Sequence, residues 1–318
     1  MNQHIRTIAI LGAGAVGSYL VMGLSDKYKE NLWVIADGER KDRLAKNGLN
    51  INDKVYSLHV KTPAEAHGVD LLFVCTKYTQ LRDSLPDIET ITDKHTMVVS
   101  LLNGVDSEEL IGQRIGMEHM IYSLIRIASH RIGNSIHFSL PKGYNGIYIG
   151  IPNQPACQDP RLAAIAEIFA DTPVTLHLSD DILLDMWDKF GLNVSRNLPQ
   201  AILGVGIGVY DDSIYTDAIM RRMRHEVVLV ANAKGIPLTD EFKAAKWLPS
   251  QRYSTLQDLD AHRHTEIDMF SGALIRMGKE VGVECPYNEM TYNLIKALEE
   301  KNDGRFAYTG EEEPTWSK

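Results

Sequence analysis

The sequence predicts an α/β fold in which an N-terminal Rossmann doubly wound sheet is followed by an all-helical C-terminal domain. Short β-branched and apolar runs recur through the first half of the 318-residue chain, and a Gly-x-Gly-x-x-Gly motif follows the first of them. Strand-like runs stop near residue 178, and helical periodicity continues from there almost to the end. We therefore expect a dinucleotide-binding domain over residues 1–178 and a helical substrate and catalytic domain over residues 179–318.

Composition restricts the class of protein before any motif is considered. With 44% hydrophobic and 24% charged residues the chain is globular in composition, and a formal charge of −9 argues against nucleic-acid or acidic-membrane partners. No apolar run approaches the roughly 20 residues needed to span a bilayer, and the first residues lack the pattern of a secretory signal, so we expect a cytoplasmic protein. The three cysteines are widely separated and no His-Glu-x-x-His motif occurs, so we expect no catalytic metal.

The glycine motif lies between a strand-like run over residues 7–11 and a helical segment. Gly12 permits a tight turn, Gly14 lets the backbone approach a pyrophosphate, and Gly17 allows the helix to pack closely on the strand. The first-turn amides of that helix, which include those of Ala15 and Val16, face the anion. This order of strand, turn and helix predicts a dinucleotide site.

The predicted second strand, residues 31–36, ends at Asp37, twenty residues after Gly17. An acidic residue at this distance accepts hydrogen bonds from the ribose hydroxyls of NAD and repels the 2′-phosphate of NADP. Asp37 therefore favours NAD(H), although Arg40 and Lys41 could still reach a phosphate. The alternative is that Asp37 is only a turn residue that ends the strand.

Further apolar runs predict more strands of the same sheet. Those over residues 69–76 and 96–102 are typical of buried parallel strands and lead to Lys77 and Asn103. Because the carboxyl ends of such strands face the ligand crevice, Lys77 is a candidate for the nicotinamide-ribose region. Runs at 120–125 and 146–150 extend the sheet, and we interpret His137 between them as structural.

A polar helix face is predicted early in the second half. Lys189, Asn193 and Asn197 stand at i, i+4 and i+8, so one ammonium and two carboxamides project from a single side. Apolar neighbours such as Phe190 indicate that this face lies against a cleft rather than in bulk water. The alternative is a solvated helix on which a lysine happens to lie near two asparagines.

A second polar face consists of Ser254, Asp258, His262 and Glu266, which are spaced by four. They align only if the helix is uninterrupted. Alternatively, Ser254 and Asp258 are an N-terminal cap and a first-turn acid, and Glu266 pairs with Arg263 or His262 in solvent. Spacing alone does not separate these alternatives.

Together these motifs resemble the ketopantoate reductase (2-dehydropantoate 2-reductase) family over essentially the whole chain. The resemblance rests on the glycine motif, Lys77, Asn103-Gly104, Trp187-x-Lys189-x-x-x-Asn193-x-x-x-Asn197, Ser254-x-Leu256-Gln257-Asp258 and His264-Thr265-Glu266-Ile267-Asp268. It implies that Lys189 is the general acid and that Glu266 binds the hydroxyl end of the substrate. Asn193, Asn197 and Ser254 would hold the substrate, with Lys77 and Asn103 where cofactor and substrate meet.

The chemistry of a keto-acid reduction agrees with these residue types. Hydride transfer to a ketone leaves a developing alkoxide, which needs a proton donor and a positive field, and Lys189 supplies both. Glu266 helps to keep Lys189 protonated, because a nearby opposite charge favours the ammonium. We expect NAD(P)H-dependent reduction of a 2-keto acid to a 2-hydroxy acid, first of all 2-dehydropantoate to pantoate in pantothenate biosynthesis.

One departure from the family pattern leaves alternatives open. Members that use NADPH commonly have an arginine where this chain has Asp37, so NADP(H) is the family default and NAD(H) is favoured by the residue present. Relatives with an acid there resemble NAD-dependent D-2-hydroxyacid dehydrogenases that act on branched or aromatic 2-keto acids. A non-enzymatic dinucleotide-sensing protein is an alternative of another class, which would not need Lys189 and Glu266. The apolar helices of the second half would suit a homodimer.

Overall fold

The computed structural model describes residues 4–138, 145–242, 248–306 and 308. The chain forms two compact units, Met1–Met186 and Trp187–Lys318.

The first unit contains all the strands that the structure describes, together with five helices. The strands are β1 (Ile8–Leu11), β2 (Leu32–Ile35), β3 (Leu49–Ile51), β4 (Lys54–Tyr56), β5 (His59–Lys61), β6 (Leu71–Val74), β7 (Met97–Ser100), β8 (Met120–Arg126), β9 (Ser129–Ile132), β10 (Ser135–Phe138), β11 (Gly146–Gly150) and β12 (Leu176–Leu178). The helices are α1 (Ala15–Tyr28), α2 (Gly38–Asn47), α3 (Tyr78–Ile91), α4 (Ser107–Ile115) and α5 (Pro160–Phe169), with 3₁₀ turns at Lys29–Asn31, Ala64–Ala66, Met117–His119 and Ala156–Gln158.

The main sheet has eight strands in the order β12-β11-β8-β7-β6-β1-β2-β5. Six neighbouring strands of this order are parallel to one another, namely β8, β7, β6, β1, β2 and β5. Strand β11 is antiparallel to β8. Strands β1, β6 and β7 are buried along their whole length, because a sheet covered by helices on both faces needs apolar side chains on both. The predicted Rossmann sheet is confirmed.

Alternate residues of the central strands enter two separate cores. Ile8 and Ile10 of β1 pack in a core that also contains residues of α1 and α5. Ala9 and Leu11 face the opposite way, into a core that contains residues of α3 and α4. The helices therefore cover both faces, and the carboxyl ends of the strands remain as the edge at which loops can form a site.

A second, four-stranded sheet has the order β4-β3-β10-β9, and the sequence analysis did not predict it. His137 lies in its β10. The ring of His137 stacks on His130 at 5.4 Å between centroids, and its Nε2 lies 3.5 Å from Oδ1 of Asp53.

The regular secondary structure described in the second unit is all helical. Its helices are α6 (Ile182–Leu192, which begins in the first unit), α7 (Leu198–Leu203), α8 (Val209–Asp212), α9 (Ile214–Ala233), α10 (Ser254–Asp260), α11 (Ala273–Val281) and α12 (Pro286–Asn302), with π-helical segments at Asn193–Asn197 and Asp268–Gly272. None of the helices in the described ranges combines the length and apolarity needed to cross a membrane.

The division between the units falls within α6, eight residues beyond the predicted boundary at residue 178. The start of α6 packs on the first unit: a Cβ built on Gly150 would lie 2.7 Å from Cβ of Ile182. The change from strand-like runs to helical periodicity near residue 178 thus marks where the strands end, a few residues before the chain leaves the first unit.

Candidate active site

The glycine motif forms the turn between β1 and α1. Gly12 has φ +109°, and a Cβ there would lie 2.6 Å from the carbonyl carbon of Cys75 on the neighbouring strand. A Cβ on Gly17 would lie 2.0 Å from the carbonyl oxygen of Gly12. These two positions have no room for a side chain, because the turn packs directly on its neighbours.

The N-terminus of α1 has the features of an anion-binding site. Gly14 is its exposed N-cap residue, and an added Cβ there would have no neighbour within 4 Å. No side chain caps this end and its first turn contains no acidic residue, so the amides of the first turn, including those of Ala15 and Val16, are not occupied by a cap. A buried hydroxyl oxygen, Oγ1 of Thr76, has no hydrogen-bond partner within the described part of the chain. These groups fit the diphosphate of a dinucleotide.

A cavity of about 400 Å³ adjoins the glycine turn at the carboxyl ends of β1, β2 and β6. It is lined by Leu11, Gly12, Ile35, Ala36, Asp37, Arg40, Pro63, Thr76, Gln80, Asp83, Ser84 and Asp87. Asp37 is the N-cap residue of α2, yet its carboxylate makes no capping hydrogen bond and is exposed. The interpretation of Asp37 as a turn residue alone does not explain this, since a turn or cap aspartate normally bonds nearby amides.

The two basic residues after Asp37 differ in their surroundings. Arg40 lines the cavity, whereas Nζ of Lys41 lies 2.5 Å from Oε2 of Glu65. The bond from Lys41, together with bonds from Thr62, lowers the pKa of Glu65 to about 2. Lys41 is therefore engaged in an ion pair, and Arg40 is the one basic side chain among the described residues that line the cavity.

One face of α3 forms a wall of the same cavity, which the sequence analysis missed. Gln80, Asp83, Ser84 and Asp87 stand at i, i+3, i+4 and i+7, so they share one side of the helix. The signal was present in the sequence, because this polar spacing begins directly after a buried strand.

Lys77 and Asn103 follow neighbouring parallel strands of the sheet. Lys77 is the exposed N-cap residue of α3, and Asn103 lies half-buried in the bend after β7. The hydroxyl of Tyr78 donates to Oδ2 of Asp106 at 2.5 Å and so joins the two segments. The structure thus places both predicted residues at the carboxyl edge of the sheet.

A buried polar cluster that the sequence analysis did not identify anchors the bend that contains Asn103. The Ser107 hydroxyl donates to Oε2 of Glu108 at 2.8 Å and lies 2.8 Å from the Ser100 hydroxyl. The Ser123 hydroxyl donates to the carbonyl of Ser100. The cluster joins β7, β8 and α4, and burial raises the pKa of Glu108 to about 8.

Glu108→Gln is expected to remove a pH-dependent loss of stability. Between its ordinary pKa of 4.5 and about 8, Glu108 is protonated in the native protein and ionised in the unfolded chain. The free energy of unfolding of the unsubstituted protein therefore falls as pH rises through this window. From pH 5 to pH 9 the variant should gain on the order of 2–4 kcal/mol relative to it in urea titrations.

Glu109→Gln is the matched control for this experiment, because Glu109 is the next residue and is exposed. It should show no such gain. Equal pH dependence of the Glu108 variant and the unsubstituted protein would contradict a protonated Glu108.

In the second unit, Lys189 lies in α6, which continues through the π-helical segment Asn193–Asn197 into α7. The prediction of regular α-helical spacing is wrong over this segment. Lys189 is 8% exposed and Asn197 3%, which contradicts the alternative of a solvated stripe. Nδ2 of Asn197 lies 3.5 Å from Oδ1 of Asn193, and the buried Oδ1 of Asn197 has no hydrogen-bond partner among the described residues. A buried unsatisfied acceptor in a π-helical turn is typical of a functional position.

The helix around Lys189 is held by a buried arginine of α9. Nη2 of Arg224 lies 3.1 Å from Oδ1 of Asp188, and its Nη1 donates to the carbonyl of Asp188 at 3.2 Å. A Cβ on Gly191 would lie 2.2 Å from Nη1, so only glycine allows this approach. Arg224 therefore fixes the backbone directly before Lys189, a role with no signal in the local sequence.

The second predicted face is not continuous. Helix α10 ends at Asp260 and His262 has φ +51°, so an uninterrupted helix from Ser254 to Glu266 is wrong. Arg263 pairs with Asp258 at 2.8 Å, so the Asp258 carboxylate is engaged. The side chain of His262 is exposed. Ser254 is the exposed first residue of α10 and does not cap it, since the N-cap residue is Tyr253.

Tertiary packing nevertheless brings the elements of the two faces together. Segment Asn193–Asn197 packs against α10 and against Asp268–Gly272, the segment that follows Glu266. Buried Gln200 joins α7 to the start of α10: its Oε1 accepts from the amide of Tyr253 at 2.9 Å.

The half-buried Glu266 directly follows Thr265, whose backbone and side chain are both hydrogen-bonded to Glu299. The amide and the hydroxyl of Thr265 each donate to Oε1 of buried Glu299 at 2.7 Å. Glu299 is thus a further residue that sequence reasoning missed, because 34 positions separate it from Thr265.

Two family models match this chain. The one described as "Ketopantoate reductase PanE/ApbA" matches residues 8–154, and the one described as "Ketopantoate reductase PanE/ApbA C terminal" matches residues 181–299. Together they cover more than half of the chain and both of its units.

Curated relatives and solved structures agree with the family models. A 2-dehydropantoate 2-reductase of Streptococcus pyogenes serotype M3 is 27% identical over 92% of this chain and 97% of its own, and one of Caulobacter vibrioides is 26% identical over 92% and 99%. Among solved structures, the ternary structure of a D-mandelate dehydrogenase with NADH and anilino(oxo)acetate superposes on this chain with a TM-score of 0.79. The two sequences are 26% identical, and the match covers 93% of this chain and 99% of that one. A ketopantoate reductase of Ralstonia eutropha is 25% identical with a TM-score of 0.76 over the same shares.

Proposed function

The chain belongs to the ketopantoate reductase family and is an NAD(P)-dependent oxidoreductase, and on that premise we propose that it uses NADH to reduce a 2-keto acid to a 2-hydroxy acid. The observation that carries this proposal is the burial of Lys189 and Asn197, with the Asn197 acceptor oxygen left without a partner. A buried carboxamide oxygen without a partner is costly unless a ligand uses it, and the buried Lys189 lies one helical turn before Asn193 on the same helix. The family's reaction supplies such a ligand.

Each residue has a defined part in this reaction. When bound, the dihydronicotinamide supplies the hydride. Lys189 donates the proton to the developing alkoxide and stabilises its charge. The carboxamides of Asn193 and Asn197, with the hydroxyl of Ser254, hold the keto acid without adding charge, and Glu266 accepts a hydrogen bond from the hydroxyl end of the substrate.

The dinucleotide is held by the first unit. We assign its diphosphate to the glycine turn and the α1 amides, and its adenosine ribose to Asp37. Lys77 and Asn103 are assigned to the nicotinamide-ribose end, with Asn103 also contacting substrate. NADH is favoured over NADPH because a 2′-phosphate would meet the Asp37 carboxylate. Lys41 is engaged with Glu65, so Arg40, which lines the cavity, is the basic side chain left to offset this repulsion.

We expect kcat/KM with NADH to exceed that with NADPH by about a hundredfold, since a like charge beside a phosphate costs several kcal/mol. Asp37→Asn should reduce the ratio to about tenfold or less, because the carboxamide removes the repulsion and keeps an acceptor. Initial rates with both coenzymes measure it. Asp42→Asn, an exposed aspartate of α2 outside the cavity, should keep the original ratio. Equal kcat/KM with both coenzymes would contradict the assignment of Asp37.

Two substrates are candidates for the same chemistry. 2-Dehydropantoate comes first, because curated relatives over nearly their whole length carry that activity in their names. An aromatic or branched 2-keto acid is the second, favoured by Asp37 and by the likeness to a D-mandelate dehydrogenase with NADH. The test is NADH oxidation with 2-dehydropantoate, 2-ketoisocaproate and phenylglyoxylate; the highest kcat/KM identifies the class, and no turnover with any of them would contradict the proposal.

A further inference from the structure

The cavity beside Asp37 extends beyond the residue that we assign to the adenosine ribose. It is lined by the apolar residues Leu11, Ile35 and Pro63 and by the polar face of α3. A base attached to a ribose at Asp37 would lie close to that residue, because the base and the ribose are directly bonded. The cavity of about 400 Å³ provides apolar surfaces for the faces of a purine and polar groups for its edge.

Asp87 is the less exposed of the two acidic residues on this face of α3. It is half-buried, whereas Asp83, one turn earlier on the same face, is exposed. In the described part of the chain neither carboxylate accepts a hydrogen bond from a side chain or an amide. Asp87 and Asp37 line the same cavity, and burial together with the charge of Asp37 raises the pKa of Asp87.

An ionised carboxylate can only accept hydrogen bonds, so it selects the edge of a base that donates them. Adenine presents its exocyclic amino group as a donor at position 6. Hypoxanthine and guanine present a carbonyl oxygen there, which is an acceptor. A half-buried carboxylate that meets position 6 from the N7 side of the ring would face two acceptors, O6 and N7, because the N1–H donor of a 6-oxopurine lies on the other side of O6. Such a mismatch is costly in a site built to hydrogen-bond its ligand.

We propose that Asp87 is a base-specificity residue, whose carboxylate accepts a hydrogen bond from the 6-amino group of adenine and so selects adenine dinucleotides over those with a 6-oxopurine. This inference rests on the proposed function, because it requires that the cavity holds the adenosine half of the coenzyme. It adds a determinant that the glycine turn and Asp37 do not supply, since these are assigned to the diphosphate and to the ribose.

The test is calorimetric binding of NADH and of reduced nicotinamide hypoxanthine dinucleotide, which differ at position 6 of the purine. The unsubstituted protein should bind NADH about tenfold more tightly. Asp87→Asn should bring the ratio of the two dissociation constants within about twofold of one, because a carboxamide can accept from the amino group or donate to the oxo group. Asp83→Asn removes the same charge from the same helix face and should keep the tenfold ratio.

A ratio that stays at tenfold in Asp87→Asn, or that falls instead in Asp83→Asn, would overturn the inference while leaving the proposed function intact. A ratio near one in the unsubstituted protein would overturn it as well. Failure of the proposed function has a different appearance: neither dinucleotide binds, or NADH binds and no 2-keto acid is turned over. Because binding is read without turnover, the two failures are distinguishable.

Discussion

Lys189→Ala is expected to lower kcat for 2-keto acid reduction about a thousandfold, while the dissociation constant for NADH changes less than twofold. General acid catalysis contributes on the order of 10²–10⁴ in rate, and Lys189 also supplies the positive charge beside the developing alkoxide. The coenzyme is assigned to groups of the first unit, so its binding should persist. Steady-state kinetics at saturating substrate measures the first quantity, and calorimetric titration with NADH measures the second.

Two further variants separate chemistry from folding in this experiment. Lys189→Met keeps the aliphatic part of a side chain that is 8% exposed, and it should lose turnover as Lys189→Ala does. Lys279→Ala removes an exposed lysine of α11 and should keep the original kcat. If Lys189→Met folded normally and retained kcat within a factor of a few, Lys189 would not be the proton donor.

Arg224→Met is expected to destabilise the protein by about 3–5 kcal/mol, because it removes one partner of a buried ion pair. The Arg224 side chain is 1% exposed and the Asp188 side chain 13%. The substitution also removes the donor to the carbonyl of Thr239 at 2.9 Å. Urea denaturation followed by circular dichroism measures the free energy of unfolding.

Arg221→Met is the matched comparison on the same helix. Arg221 stands one turn before Arg224 and pairs with Asp217 at 2.7 Å, but its side chain is 66% exposed. An exposed pair of this kind contributes less than about 1 kcal/mol. A loss of stability in Arg224→Met no larger than in Arg221→Met would show that the buried pair does not hold α6 and α9 together.

Local patterns sufficed for the parts of the site that lie within one strand, turn or helix. Gly12 and Gly17 are separated by five positions, and the steric need for glycine at both follows from one strand, turn and helix unit. The buried strands that lead to Lys77 and Asn103 were predicted for the same reason, because a run of apolar residues reports burial on both faces.

Predictions that extended a local pattern through an irregular segment were wrong. The regular helix through Asn193–Asn197 contains a π-helical segment, and the helix from Ser254 breaks after Asp260, before the positive φ of His262. Spacing by four assumes the geometry that these segments depart from, so it cannot detect the departure.

The sequence by itself determined the Rossmann sheet, the glycine turn, the acid at the end of β2 and the lysine and asparagine motif, because each is encoded by residues close together in the chain. Only the tertiary structure decided which distant groups meet. It brought Asp87 to the same cavity as Asp37, Arg224 to Asp188, and Glu299 to Thr265. The physical reason is that burial and charge pairing depend on packing between elements far apart in sequence, and local spacing carries no information about that packing.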